Sequence, residues 1–380
     1  MKPLRLIPCL ALSCLSLVLP ARAALPVPPP PQIEARAWLL IDAASGLPLA
    51  EKNADAKVEP ASLTKLMTAY LAFSALKEGR LKPEQTLPVS EKAWKAEGSR
   101  MFLDPRKPAR VDDLLKGVIV QSGNDACIVL AEAIAGSEEG FASMMNQTAK
   151  RLGMTGTHFL NSTGLPHPQH MTTARDLAKL AGALIRDFPE HYKLYSMREF
   201  AYNGITQPNR NRLLFMDPSV DGVKTGHTES AGHCLIASAQ RERRRLLSVV
   251  LGAGSDSARA MESQKLLNYG FQFFETVKLY PANQTVASLR IYKGKGSQVK
   301  AGFLGDFHVT VPRGSARNIQ AQTVTQQPLL APVRRGQRLG TLRVSVDGQP
   351  VGEYPLLALE DIAVSGILGR GWDNILLMLR

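Results

Sequence analysis

Pro60-Ala61-Ser62-Leu63-Thr64-Lys65-Leu66-Met67 opens the first strongly helical stretch of the chain, and the rest is read outward from it. From Ala61 through Leu76 the apolar residues Leu63, Leu66, Met67, Tyr70 and Phe73 keep helical spacing, which predicts a helix. Ser62 and Lys65 stand at its start, and a three-residue separation puts them on one face with Cβ atoms about 5–6 Å apart. A serine hydroxyl is a weak nucleophile and needs a neighbouring base. A partly buried lysine can serve, because burial disfavours its charged form. The helix N-terminus also sets the Ser62 N–H where an oxyanion can form. Taken alone, S-x-x-K is a common exposed helix start.

Two more short motifs follow in order. Ser122-Gly123-Asn124 lies between a helix predicted over 111–120 and another over 126–135, so a hydroxyl and an amide sit on a loop between rigid elements. Its plainer meaning is a turn and cap, with Asp125 as the capping residue. Lys224-Thr225-Gly226 ends a strand predicted over 222–225. A lysine and a hydroxyl there can hold a carboxylate, and the glycine lets a substrate backbone approach closely. Its plainer meaning is a strand end and a glycine turn.

The frame around the motifs is that of an exported protein. The chain has 380 residues, of which 44% are hydrophobic and 21% charged, values that exclude a disordered or collagen-like chain. Lys2 and Arg5, the apolar run Ile7 to Leu19 and the small-x-small site Ala21-Arg22-Ala23 read as a signal peptide over 1–23. The 46 Lys and Arg outnumber the 33 Asp and Glu by 13; the leader removes Lys2, Arg5 and Arg22 and no acid, leaving +10. Such a charge on an exported protein draws it to anionic membranes and cell-wall polymers at low salt, or serves only to keep it soluble, and charge alone does not choose between the two. The basic run Arg241 to Arg245 contains Glu242 and reads as a solvated turn rather than a nucleic-acid surface. Cys127 and Cys234 remain after cleavage and fall on apolar segments, where buried thiols are expected. His167 and His170 have no acidic or cysteine neighbours of metal-site spacing.

A proline-rich spacer covers 24–34. Trp38 to Ile41 reads as a buried strand. Thr172 or Thr173 caps a helix running through Leu184, further strands are expected over 233–239 and 246–251, and Ser255 or Asp256 caps a long helix ending near Phe274. The first domain is therefore set at 35–276. Beyond it the helical period gives way to short alternating runs (Val309 and Val311; Leu342, Val344 and Val346) and an Asp347-Gly348 hairpin signal, predicting a small β-sandwich domain over 277–356. In 357–380, Val364, Ile367, Leu368, Trp372, Ile375, Leu376 and Leu379 share one helical face, which predicts an amphipathic helix fit for a membrane surface or for docking on its own domain.

S-x-x-K, S-x-N and K-T-G in that order match the motif set of penicillin-binding proteins and class A β-lactamases. With Asp221 to Thr228, Gly270 to Glu275, the β domain and the tail, the chain resembles the low-molecular-mass penicillin-binding proteins that are serine-type D-alanyl-D-alanine carboxypeptidases. The resemblance implies an α+β catalytic domain of the serine β-lactamase and transpeptidase kind, an antiparallel sheet flanked by helices. It implies that Ser62 is acylated by the penultimate D-alanine of a peptidoglycan stem pentapeptide and that Lys65 takes the serine proton. Ser122 would relay a proton to the leaving D-alanine, and Asn124 would hold the acyl side and Lys65. Lys224, Thr225 and Arg210, the last within Asn209-Arg210-Asn211, would bind the terminal carboxylate beside Gly226. The N–H groups of Ser62 and His227 would form the oxyanion hole. No metal or cofactor is implied, β-lactams are expected as covalent inhibitors, and the expected place is the periplasmic face of the cytoplasmic membrane.

The sequence departs from the family in the loop Asn161-Ser162-Thr163-Gly164-Leu165, where relatives commonly carry a histidine. Two alternatives stand beside this reading. A β-lactamase would need a loop glutamate in an E-x-x-L-N pattern, and none of Glu132, Glu138, Glu139, Glu190 and Glu199 stands in one. A non-catalytic wall-binding scaffold would have no need of both Ser62 and Lys65.

Overall fold

The computed structural model describes residues 27–325, 327–366 and 373. The predicted leader 1–23 lies outside them, as do residues 367–372 and 374–380 of the predicted terminal helix.

The first domain is built on one antiparallel sheet of β1 (Ala37–Asp42), β2 (Pro48–Lys52), β3 (Val220–Thr228), β4 (Gly232–Arg241) and β5 (Arg244–Ala253), in the order β2-β1-β5-β4-β3. The central strands are apolar along their length because helices cover both faces. On one face Leu39, Ile236, Leu247 and Val249 join the core under α1 (Lys65–Lys77), α2 (Asn124–Ala135) and α3 (Ala174–Asp187). On the other, Leu40, Leu235, Leu246 and Val250 pack with Leu266, Leu267 and Phe271 of α4 (Asp256–Phe273). The alternation along β5 is the two-residue period of a strand. Thr173 accepts from the Asp176 N–H to start α3, and Ser255 from the Ala258 N–H to start α4.

The spacer is not free of the fold. The Tyr269 hydroxyl donates to the Pro28 carbonyl, and Ile33 is buried. The sequence reading missed the helix Glu138–Arg151, whose Ser137 accepts from the Gly140 N–H, and the hairpin of Glu199–Tyr202 with Ile205–Pro208. The helix carries few large apolar residues, chiefly Phe141, Met144 and Met145, so its period is weak.

The second domain has a core of its own, centred on Val299, Val309, Leu342, Val344 and Leu356. Its strands are β6 (Phe274–Tyr280), β7 (Thr285–Tyr292), β8 (Gln298–Gly302), β9 (Phe307–Pro312), β10 (Ile319–Thr325), β11 (Leu329–Leu330), β12 (Arg338–Val346) and β13 (Gln349–Ala358). They form a six-stranded sheet ordered β10-β12-β13-β8-β7-β11 and the pair β6-β9. Asp347 and Gly348 both have positive φ, 50° and 78°, as a two-residue hairpin turn requires. The structure corrects the tail. Strand β13 runs to Ala358, Ile362 bridges Val333 and Val364 bridges Gly294, so residues 357–364 finish the β domain rather than begin a helix. Among the described residues no helix is long and apolar enough to cross a membrane.

Candidate active site

The predicted helix over 61–76 divides at the site. Ala61–Thr64 is a 3-10 turn and α1 begins at Lys65. A 3-10 turn has three residues per turn, so positions three apart eclipse. Ser62 and Lys65 therefore stack, and the Lys65 Nζ lies 2.9 Å from the Ser62 Oγ. Lys65 is 1% exposed, and its second partner is the Thr163 carbonyl at 2.6 Å. Among the described residues no carboxylate bonds to it. Burial lowers its pKa to about 8, with Arg210 pushing the same way.

The loop of residues 160–171 cradles this turn. Thr68 donates to the Ser162 carbonyl at 2.6 Å, and Ser162 in turn donates its N–H and hydroxyl to Glu138. A Cβ on Gly164, where φ is +86°, would come within 1.8 Å of the Ala61 carbonyl oxygen, so glycine is required there. Buried His170 accepts from the Leu160 N–H through Nδ1 and bonds the Thr64 hydroxyl through Nε2 at 2.9 Å. Burial lowers its pKa to about 4. The histidine left without a ligand role by its spacing is thus tied to the middle of the S-L-T-K turn.

The predicted helix over 111–120 is α-helical to Lys116 and then widens to a π turn, Gly117–Gln121. Ser122 follows in the left-handed region (φ 61°), an uncommon state for a non-glycine residue that occurs at functional sites. It is 2% exposed. Asp125 does not cap α2, whose start has no side-chain cap. Its carboxylate accepts the Met101 and Leu103 N–H groups and so clamps the loop beside the site. Asn124 is not bonded to Lys65. Its Nδ2 donates to the Glu97 carbonyl at 2.6 Å.

Strand β3 closes the site. Gly226 lets it approach the nucleophile turn, since a Cβ there would sit 3.1 Å from the Pro60 oxygen and 3.2 Å from the Leu63 Cγ. The Lys224 Nζ bonds the Ser122 Oγ at 3.0 Å and the Thr225 carbonyl at 3.1 Å. Lys224 is 3% exposed, and burial with Lys65, Arg210 and Arg259 nearby holds its pKa well below the usual lysine range. Lys224 stands behind Ser122, and its neighbours Thr225 and Gly226 line the cavity.

That cavity has a volume of about 370 Å³ and is lined by Ser62, Gly98, Ser99, Ser122, Arg210, Thr225, Gly226, His227 and Arg259. The predicted residues Ser62, Ser122, Arg210, Thr225, Gly226 and His227 meet on it, with Lys65, Lys224 and Asn124 one bond or one residue behind. His227 is exposed and stacks on His233 with centroids 4.1 Å apart. Arg259 was missed from the sequence. It enters from α4, donates to the Gly226 and Cys234 carbonyls and pairs with Asp256. Cys127 and Cys234 are buried free thiols, and burial raises Cys127 to about 12.

With this geometry in place, comparison gives a consistent result. Residues 24–255 match the family model described as D-alanyl-D-alanine carboxypeptidase, and residues 274–364 match the model for the C-terminal domain of penicillin-binding protein 5. The D-alanyl-D-alanine carboxypeptidase DacC of Escherichia coli is 46% identical over 355 residues, which cover 91% of this chain and 89% of that one. The structure of penicillin-binding protein 5 from Haemophilus influenzae superposes with a TM-score of 0.83 at 40% identity, covering 88% of this chain and 99% of that one. Penicillin-binding protein D2 of Listeria monocytogenes, solved in an ampicillin-bound form, gives 0.60 at 32% identity over 64% of this chain and all of that one.

Proposed function

The chain belongs to the D-alanyl-D-alanine carboxypeptidase family and is a serine peptidase of the penicillin-binding type, and from that premise we propose how its residues share the reaction. The substrate is a peptidoglycan stem pentapeptide ending in D-alanyl-D-alanine. Ser62 Oγ attacks the penultimate carbonyl carbon while neutral Lys65 takes its proton. The Ser62 and His227 N–H groups hold the oxyanion. When the tetrahedral intermediate collapses, the C–N bond breaks and the departing amine takes a proton through Ser122, whose hydroxyl is backed by Lys224. Free D-alanine leaves and the tetrapeptide remains as an ester on Ser62. Water then attacks the ester, gives a proton to the base and releases the tetrapeptide carboxylate. Thr225, Arg210 and Arg259 surround the terminal carboxylate, which explains why a cavity so small carries two guanidinium groups.

One observation supports this assignment above the others: a fully buried lysine with a lowered pKa stands 2.9 Å from a serine oxygen that lines the cavity. A β-lactam is taken as a mimic of the D-alanyl-D-alanine end and acylates the same oxygen. Peptide mapping after exposure to penicillin tests this. The adduct is expected on Ser62 and absent from Ser62→Ala; an adduct on another residue, or rapid penicillin turnover with no adduct, would overturn it.

We further infer a periplasmic location at the outer face of the cytoplasmic membrane. The support is the leader pattern at 1–23 and the one-sided apolar spacing of Ile367 to Leu379. A chain ended at Gly366 is expected to keep its activity and lose binding to anionic vesicles; equal binding by both forms would contradict the attachment.

A further inference from the structure

A cavity larger than the one at Ser62 lies elsewhere in the described residues. It measures about 1020 Å³ and lies where the two domains meet, between the β4–β5 turn and strands β6 and β9. Lys224 pairs with Ile236 in the sheet, and Arg241 is five residues further along β4, so the cavity opens about 17 Å away along the strand, at the far end of the sheet.

Its walls are cationic. Arg241, Arg243 and Arg244 come from the turn, and His308, Arg313 and Lys278, the last paired with Asp306, from the β domain. Glu242 and Glu275 are the carboxylates on the wall, and Glu275 is occupied by the Gly314 and Ala316 N–H groups. The basic run is therefore more than a solvated turn. Arg244 is spent on structure, bonding Asp42, Thr276 and the Gly270 and Phe274 carbonyls across the domain junction. Arg241 lies over the Phe271 ring with 4.5 Å to its centroid, held by Asn268 and Asp217. Arg313 donates to the Phe271 carbonyl, and among the described residues the ion pairs of this wall are those of Arg241, Arg244 and Lys278. The held guanidinium groups of Arg241 and Arg313 and the exposed one of Arg243, around a concave, aromatic-floored space, suit carboxylates on a flexible chain. A flat membrane surface does not reach into such a cleft.

We propose that this cleft is a second binding site for peptidoglycan, taking the free carboxylates of stem peptides on the strand being worked on or beside it. The proposal rests on the carboxypeptidase reading, because the substrate and the tetrapeptide product of that reaction both end in carboxylates. The cleft draws walls from both domains, so an occupied cleft also fixes the angle at which the catalytic domain meets the polymer. A basic protein thereby holds an insoluble substrate at one site while Ser62 works at another.

The test compares wild type with Arg243→Glu on two substrates. D-alanine release from soluble pentapeptide should stay within about twofold, because Arg243 is remote from Ser62. Release from intact pentapeptide-rich sacculi should fall about five- to tenfold at low salt, and the difference should fade near 0.5 M salt. Arg243→Lys should restore most of it. Equal losses on both substrates would point to a damaged fold and overturn the proposal, as would no loss on sacculi. Co-sedimentation separates this from catalysis. Ser62→Ala should still pellet with sacculi, and Ser62→Ala with Arg243→Glu should not. If Arg243→Glu loses binding to phosphatidylglycerol vesicles or to inorganic phosphate but keeps sacculus binding, the cleft is a phosphate site and the proposal fails. If wild type leaves soluble pentapeptide intact while co-sedimentation still depends on Arg243, the catalytic reading fails and the cleft stands.

Discussion

The two domains bury very different residues. Around the nucleophile the first domain buries Lys65, Lys224, Asp125, Asn124, Ser122 and His170, all at 5% exposure or less. Among the described residues of the β domain the buried polar ones are Thr310 and Ser315, and the rest of its core is aliphatic and aromatic. Taking charge out of water destabilises a fold unless partners replace the solvent. Away from the site the first domain meets that cost with ion pairs, as for Asp42 with Arg244 and Asp176 with Lys179, but it gives its two buried lysines backbone carbonyls and hydroxyls, which are weaker partners than a carboxylate. Lys65 is left with a pKa of about 8 as a result. The β domain carries no such strain, so its contribution is shape and surface.

The comparison is broken most severely by removing the base. Lys65→Arg keeps a cation near the serine but cannot give up its proton. We expect kcat/KM for pentapeptide to fall about 10²–10⁴-fold, while the melting temperature of the β domain is unchanged; a loss under tenfold would mean that Lys65 is not the base. The pH profile sharpens the same point. Acylation needs neutral Lys65, so the second-order rate with penicillin should rise with pH and level off above about 8. A flat profile from pH 6 to 9 would contradict it.

The quiet domain should respond in the opposite way. Leu342 is 1% exposed at the centre of the β core, and Leu342→Ala should destabilise that domain by about 2–5 kcal/mol. Activity on soluble pentapeptide at a temperature where both domains remain folded should be retained. A parallel loss of activity would show that the domains are not independent in this respect.

The smallest effect concerns His170. Its folded pKa, about 4, lies below the ordinary 6.5, so the unfolded chain binds the extra proton first as pH falls. Stability should therefore decline from about pH 6.5 toward 4, by up to about 3 kcal/mol if burial acts alone. His170→Gln can still bond Thr64 but cannot ionise, and should flatten that slope while lowering kcat/KM only about fivefold. An unchanged slope would place the acid sensitivity elsewhere.

What could be read in the sequence was local. Ser62 with Lys65, Ser122 with Asn124, and Lys224 with Thr225 are close in the chain; the first two pairs sit at a helix start and a loop as expected, whereas Lys224 and Thr225 lie within β3, which runs on to Thr228 instead of ending at 225. The 3-10 turn under Ser62 was not legible, because helical apolar spacing runs through it unchanged. Arg259 and the Thr163 and Glu97 carbonyls were also hidden. They reach the site from distant segments, and a backbone carbonyl leaves no mark on the residue type. The Asp125 clamp resembles a cap in the sequence for the same reason: its partners, Met101 and Leu103, are more than twenty residues away. The tail misled for a different reason, since residues 357–364 are apolar in a pattern that also fits strand bridges at the edge of a β domain.

The most direct measurement is mass spectrometry of purified stem pentapeptide after incubation with wild type and with Ser62→Ala. Loss of one D-alanine with wild type, and an intact pentapeptide with Ser62→Ala, is the expected result. A tetrapeptide formed equally by both proteins, or by neither, would contradict the assignment of Ser62 as the nucleophile of a carboxypeptidase.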